Sequence, residues 1–338
     1  MAQPAAAAHV APTTDVPVID LARFYDGGSA GRQDVAQQIK QACETVGFFR
    51  IANHAVPPTL LDDAFAVSRD FFDLPLDEKL AATPTTEVAP RGYAAFEKKG
   101  LAATLGVEAP KDLREQFMVG PLDTMPPALA AVPDAAGCYS PNLWPSHPVR
   151  YRAVFVELYR HFERQAADLM RAFALALDLP EDHFAGMIDH HFSVLGSNHY
   201  PALARDPLPG QLRTGAHTDF GSLTILAPSA NSDGLQAMIR EGVWSEVAPL
   251  PGCLIVNLGD MMARWTNDRW RSTLHRVMNP PPGAGARSRR QSIAFFCHPN
   301  FDALISAFPS CVPAGTAPRY EPILAGRHMR AKMEKRSQ

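Results

Sequence analysis

In "TGAHTDFGSLTIL", residues Thr214 to Leu226, a histidine and an aspartate stand two residues apart at the entrance to an apolar run. On an extended strand such a pair shares a face, so His217 and Asp219 can aim an imidazole nitrogen and a carboxylate oxygen at one point. A later β-prone run, "LHRVMN", supplies His275. Two histidines and one carboxylate on one face leave three octahedral positions open, the non-heme iron(II) arrangement that admits a substrate or cosubstrate together with dioxygen. The same groups hold zinc and a water in hydrolases, so the ligands alone do not choose between oxygenase and hydrolase. The other pair of this spacing, His161 and Glu163, lies within a helical pattern, where positions two apart diverge; it is expected on a solvated face.

Arg290 and Ser292 in "RRQSIAFF" are also two apart on a β-prone run. A guanidinium and a hydroxyl facing the metal's cavity suit a carboxylate, which the planar fork binds with two charge-assisted hydrogen bonds. A dicarboxylate can then chelate the metal with one end and anchor to Arg290 with the other. His190, His191 and His199 cluster before these strands, but adjacent strand positions point opposite ways, so no second metal site is expected.

The elements that must position these groups fall into two halves. "VPVIDL", Val16 to Leu21, reads as a short strand followed by a glycine-rich loop, "YDGGSAG". From Arg32 apolar residues recur at helical spacing up to Gly47; "FFRIANHAV" reads as a strand and "LLDDAFAVSRDFFDL" as a second amphipathic helix. Residues Ala82 to Pro148 read as long loops around short elements such as "LREQFMVG", and Tyr151 to Leu179 as the longest helix. Beyond it, "FSVLGSNHY", "SLTIL", "GLQAM", "VWSEV", "CLIVNLGD", "HRVMN" and "QSIAFFCH" are short β-prone runs separated by turn residues, the pattern of an antiparallel sandwich or barrel.

The 338 residues, 46% of them hydrophobic, suffice for a large core, and a net charge of −3 gives no general field for nucleic acid or anionic lipid. The basic end "RHMRAKMEKRSQ" reads as a solvated helix. Five scattered cysteines without a C-x-x-C pair point to a reducing, cytoplasmic setting, and no run of about 18 apolar residues suggests a membrane span. The expected organisation is a flexible leader (1–15), a helical and loop region that adds strands to the core (16–185), a metal-binding β core (186–300) and a C-terminal extension (301–338) that either covers the pocket or mediates self-association. Oligomeric state stays open.

The order "NHYP", "HTDFGSLTIL", "LHRV", "RQSIAFF", preceded by "VPVIDL" and "GFFRIANHAVP", resembles the isopenicillin N synthase-like group of iron(II)- and 2-oxoglutarate-dependent oxygenases from about Val16 to Asn300. The resemblance implies a mainly β fold with flanking helices: a distorted double-stranded β-helix, the cupin-like jelly roll, with an N-terminal helical support region. It implies His217, Asp219 and His275 as iron ligands, Arg290 and Ser292 as the R-x-S pair on the distal carboxylate of 2-oxoglutarate, and Asn198 and Tyr200 as the N-x-Y pair lining the cosubstrate pocket. Segments matching the family's pocket roof make Tyr93, Phe96, Phe117 and Met118 candidates for the substrate lining, and alternation from Arg290 adds Phe296 and His298. The implied reaction uses iron(II), 2-oxoglutarate and dioxygen to oxidise an unactivated C–H bond of a small or medium-sized metabolite, with hydroxylation the default. Members that work without 2-oxoglutarate keep the arginine for another carboxylate, so a cosubstrate-independent oxidase stays open, as do a zinc hydrolase and a non-catalytic binding barrel. Two departures stand out: Ala55 replaces the glycine of the family's N-H-G-V, where a positive φ would strain it, and the segment from Pro280 to Arg289 is a few residues longer than expected.

Overall fold

Nine apolar residues at helical spacing, from Val154 to Leu177, form the stripe that makes Tyr151–Ala176 the longest helix of the computed structural model, which describes residues 10–11, 16–85, 90–230, 232–281 and 283–337. All nine are buried, and helices Gly28–Thr45 and Pro58–Phe72 pack against them. At about 1.5–3 kcal/mol for each fully buried large apolar side chain, this stripe holds the layer more firmly than helix propensity does.

The helices cover one face of an eight-stranded sheet with the order Val18–Asp20, Phe48–Ala52, Leu254–Leu258, Leu223–Pro228, Arg290–Cys297, Val194–Tyr200, Glu115–Val119, Gly92–Ala94. Arg290–Cys297 lies in the middle, antiparallel to both neighbours. Its Ile293 and Phe295 are fully buried on the helix side, with Phe295 against Tyr159 and Phe162 of the long helix. Its other set, Arg290, Ser292, Ala294 and Phe296, therefore faces the opposite way.

Facing that side is a five-stranded sheet, in order Val10–Ala11, Val243–Glu246, Leu235–Arg240, His275–Val277, Thr214–His217. Phe48, Tyr200 and Ile255 of the larger sheet meet Leu235, Ala237 and Val277 of the smaller in a second apolar cluster. Together the sheets form the distorted jelly roll. A small pair, Leu304–Ile305 with Ile323–Leu324, leads into the terminal helix Ala325–Ser337. No helix among the described residues is long and apolar enough to cross a membrane.

Several expectations need correction. "YDGGSAG" is no loop: helices Ala22–Asp26 and Gly28–Thr45 leave only Gly27 between them. Its glycines serve close packing, since a Cβ on Gly27 or Gly31 would sit 2.4 Å from the Arg23 carbonyl oxygen. The positive φ of the N-H-A-V turn falls on Asn53 (50°), which tolerates it, and Ala55 is not among the positive-φ residues. Glu163 is not solvated, because its carboxylate reaches Arg160 at 2.8 Å and His191 at 3.0 Å. The leader contributes Val10–Ala11, paired in parallel with Trp244 and Ser245; its remaining residues up to 15 lie outside the described ones.

Glu115 is the polar keystone on the helix side. Its carboxylate accepts from Lys79 at 3.0 Å and Tyr93 at 2.5 Å, and lies 2.7 Å from His199 Nδ1. Burial alone would raise its pKa, but His199, Tyr93 and Lys79 together pull it below the usual carboxylate range. Glu115→Gln keeps the shape but leaves buried Lys79 without its countercharge, so urea unfolding should show a loss of about 3 kcal/mol; a change below about 0.5 kcal/mol would deny the cluster that role.

Candidate active site

Two neighbouring strands and one turn bring three donors together inside the barrel. His217 ends Thr214–His217, Asp219 follows in the turn, and His275 opens His275–Val277 as the cross-strand partner of His217. The imidazole centroids lie 4.2 Å apart. One ligand atom from each residue lies within 4.8 Å of the others, the one such grouping of metal-binding side chains among the described residues, and all three are buried.

Each donor is held from behind. His217 Nδ1 lies 2.9 Å from the Gly215 carbonyl oxygen and His275 Nδ1 3.0 Å from that of Thr273. A carbonyl can only accept, so both rings carry their proton on Nδ1 and keep the Nε2 lone pair for the centre. Asp219 Oδ2 accepts from Thr224 Oγ1 at 2.6 Å and Asn257 Nδ2 at 2.7 Å, two residues paired across adjacent strands. Oδ1 stands 3.8 Å from each Nε2, too far for hydrogen bonding. Two imidazole nitrogens and a carboxylate oxygen that converge without bonding one another fit a divalent cation, and the donor set suits iron(II).

Further along the same interior lies a positively charged wall. Arg290 is buried; its Nη1 is 3.4 Å from Ser292 Oγ, its guanidinium carbon lies 4.7 Å from the Tyr200 ring centroid, and its Nε has no partner. No carboxylate among the described residues forms an ion pair with it. Ser292 is the cross-strand partner of Asn198, whose Nδ2 lies 3.5 Å from Ser292 Oγ, and Tyr200 Oη meets Thr214 Oγ1 at 3.2 Å. Burial lowers the Arg290 pKa and would raise that of Tyr200, but the charges of Arg290 and Arg114 outweigh it and pull the phenol down. Arg289 points elsewhere, to Asp73 and His199.

The roof candidates divide by strand alternation. Met118 and Phe296 face the interior, where the Cβ position of Gly196 is 2.8 Å from Met118 Sδ and 3.4 Å from a Phe296 ring carbon. Tyr93 and Phe117 do not. They pair across adjacent strands and point into the helix-side core, where both pack on Phe71 and Tyr93 also reaches Glu115. Phe117 is odd-numbered on a strand whose even residues face the barrel. Phe96 is exposed on a turn and joins neither group. His298 is buried and stacked on Phe192 at 5.1 Å, with burial pushing its pKa down to about 3 and Nδ1 unpartnered.

Sequence reading missed Arg114, Gln116, Thr224, Asn257 and Arg213. Arg114 and Gln116 share alternation with Met118 and approach Asn198 Oδ1 at 3.4 and 2.6 Å; the pattern R-x-Q-x-M carried that signal. Arg213 is buried with its guanidinium carbon 5.8 Å from the Tyr200 ring, and burial and the like charge of Arg290 push its pKa down to about 10. Asn257 stands in "CLIVNLGD", where nothing local marks it.

Comparison with known proteins shows the family. Residues 16–147 match the family model for the non-haem dioxygenase in morphine synthesis N-terminal region, and residues 191–299 match that of the 2OG-Fe(II) oxygenase superfamily. The chain is 33% identical to the 2-oxoglutarate-Fe(II) type oxidoreductase hxnY of Emericella nidulans, over 93% of this chain and 88% of that one. It is 32% identical to the validamycin A dioxygenase of Streptomyces hygroscopicus subsp. limoneus, over 90% and 81%. A full-length Neurospora crassa protein, solved in complex with alpha-KG (2-oxoglutarate) and thymine, superposes with a TM-score of 0.82 at 30% identity, covering 94% of this chain and 96% of that one.

Calorimetric titration with manganese(II), a redox-quiet substitute for iron(II), should show Asp219→Ala weakening affinity more than about a hundredfold and Asn257→Leu about tenfold, since losing an outer partner alone costs 10–100-fold. Glu163→Ala should bind like wild type. Equal affinity in Asp219→Ala and wild type would remove the carboxylate from the site.

Proposed function

The chain belongs to the iron(II)- and 2-oxoglutarate-dependent oxygenases of the isopenicillin N synthase-like superfamily, and from that premise we propose that His217, Asp219 and His275 hold the iron while Arg290, Ser292, Tyr200 and Asn198 hold the cosubstrate. The enzyme oxidises an unactivated C–H bond of a small molecule and releases succinate and carbon dioxide. Iron(II), with 2-oxoglutarate and dioxygen bound, supplies the oxidant for that step. The observation that carries the residue assignment is a buried guanidinium, Arg290, with no ion pair to a carboxylate among the described residues, facing the same barrel interior from the sheet opposite the two histidine strands. A buried cation with Asp233 acting on it but no carboxylate in contact is costly, and a dicarboxylate cosubstrate provides that contact.

Each side chain then has a defined task. Gly215 and Thr273 carbonyls fix the histidine tautomers, and Thr224 and Asn257 occupy one oxygen of Asp219 so that the other is free for the metal. Arg290 and Ser292 bind the distal carboxylate, and Tyr200 closes over the guanidinium. Phe48 stands edge-on to His275, with ring centroids 5.5 Å apart, and helps keep water from the donors. Gln116, Met118, Phe296 and His298 form the substrate side, which suits a partly apolar metabolite with one polar group. We assign hydroxylation as the default outcome.

The organisation follows the same reading, with residues 16–185 as support that lends strands to the core, 186–300 as the iron and cosubstrate core, and 301–338 as an extension. A cytoplasmic setting suits five cysteines without a disulfide.

Removing a charge-assisted pair costs about 1.5–3 kcal/mol per bond, so Arg290→Ala should weaken 2-oxoglutarate binding by roughly thirtyfold or more. Its manganese(II) affinity should stay at the wild-type value. Calorimetric titration of manganese-loaded protein with 2-oxoglutarate measures this directly, and an unchanged dissociation constant would mean that Arg290 is not the clamp.

A further inference from the structure

The terminal helix Ala325–Ser337 carries the basic run that sequence assigns to a solvated surface, yet its His328 is 7% exposed and Lys332 is only partly exposed. Both reach the turn after His217. The buried His328 ring lies beside the backbone of Phe220, the residue after Asp219, and its Nε2 has no hydrogen-bond partner. Lys332 Nζ lies 5.8 Å from the Phe220 ring centroid and 2.5 Å from Asp260 Oδ2. That same Oδ2 accepts from Thr218 Oγ1 at 3.2 Å, the residue between His217 and Asp219. Asp260 Oδ1 accepts from Ser272 Oγ at 2.7 Å, three residues before His275, and its amide donates to the Asp219 carbonyl at 2.8 Å. The helix also packs on the short turn Ala102–Leu105, whose Ala102 Cβ lies 3.0 Å from the Cβ position of Gly215 on the His217 strand.

His328, Lys332 and the packing on Ala102–Leu105 thus each link this helix to a segment that bears a ligand. We infer that Lys332 and His328 are positioning residues of the metal centre: the docked C-terminal helix holds the 217–220 turn, through Asp260 and Phe220, in the shape that presents two of the three donors. This rests on the assignment of His217, Asp219 and His275 as iron ligands. Asp260 is the joint. Its carboxylate is shared between Lys332 and the Thr218 hydroxyl, so loss of the ammonium leaves a half-buried carboxylate to seek water and drag the turn with it. Outer partners of this kind tune metal affinity without touching the metal.

The test uses the full-length protein with Lys332→Gln, Lys332→Arg and the double variant Lys332→Gln/His328→Leu. Anaerobic iron(II) release to a chelator is timed, the visible absorption of the iron and 2-oxoglutarate complex is recorded, and hydrogen exchange is followed over residues 325–334. Lys332→Gln should release iron about tenfold faster with a shifted absorption maximum, the double variant faster still with exposed helix amides, and Lys332→Arg should return both readouts toward wild type. Release within twofold of wild type in the double variant, with the helix amides exposed or still protected, would overturn the inference while leaving the ligand assignment intact. Faster release with an unshifted spectrum and no rescue by arginine would reduce Lys332 to a general stabiliser and overturn it too. Wild-type protein that retains no iron would overturn the ligand assignment, and this inference with it.

Discussion

Everything at the centre depends on the two-residue period of Arg290–Cys297. The strand is paired on both sides, so a slip by one residue would carry Ile293 and Phe295 from the helix-side core into the barrel and turn Arg290 and Ser292 outward. Burial of that apolar set is therefore what fixes the direction of the guanidinium. The same rule runs through its neighbours, where Asn198 and Tyr200 stand opposite Ser292 and Arg290 and face inward with them. Fold stability and site geometry are two consequences of one register.

The metal end obeys a different constraint. Strand alternation brings His217 and His275 side by side, but a carboxylate has two oxygens and must be told which to use. Thr224 and Asn257, themselves a cross-strand pair, bind one and leave the other facing the histidines. The other end carries a net positive charge: Arg114, Arg213 and Arg290 are all buried near Tyr200, with Asp112 paired to Arg114 at 3.3 Å and Asp233 acting on Arg290. Such a field suits an anionic ligand.

Legibility in the sequence followed local periodicity. The His217 and Asp219 pair, the Arg290 and Ser292 pair and the long helix each announce themselves within a few residues, and the structure keeps all of them. The failures arise where face or partner is decided at long range. Phe117 and Met118 are adjacent and cannot line one cavity together; which of them faces inward is set by Phe71 and Tyr151 on the helix side, both distant in sequence. Asn257 and Thr224 gain their meaning only from pairing with each other beside Asp219. The C-terminal basic run looks solvated by composition, and only the fold reveals Asp260 waiting beneath it.

The proposed site holds iron(II) at His217, Asp219 and His275 beside the smaller sheet and 2-oxoglutarate at Arg290 on the larger, both facing one barrel interior. The most direct measurement is an anaerobic titration of metal-free protein with iron(II) and then 2-oxoglutarate, watched for the weak visible charge-transfer band of a chelated 2-oxoacid. The proposed site requires a saturable band in the wild type that is absent in Asp219→Ala. A tight iron site that gives no band at saturating 2-oxoglutarate would contradict it.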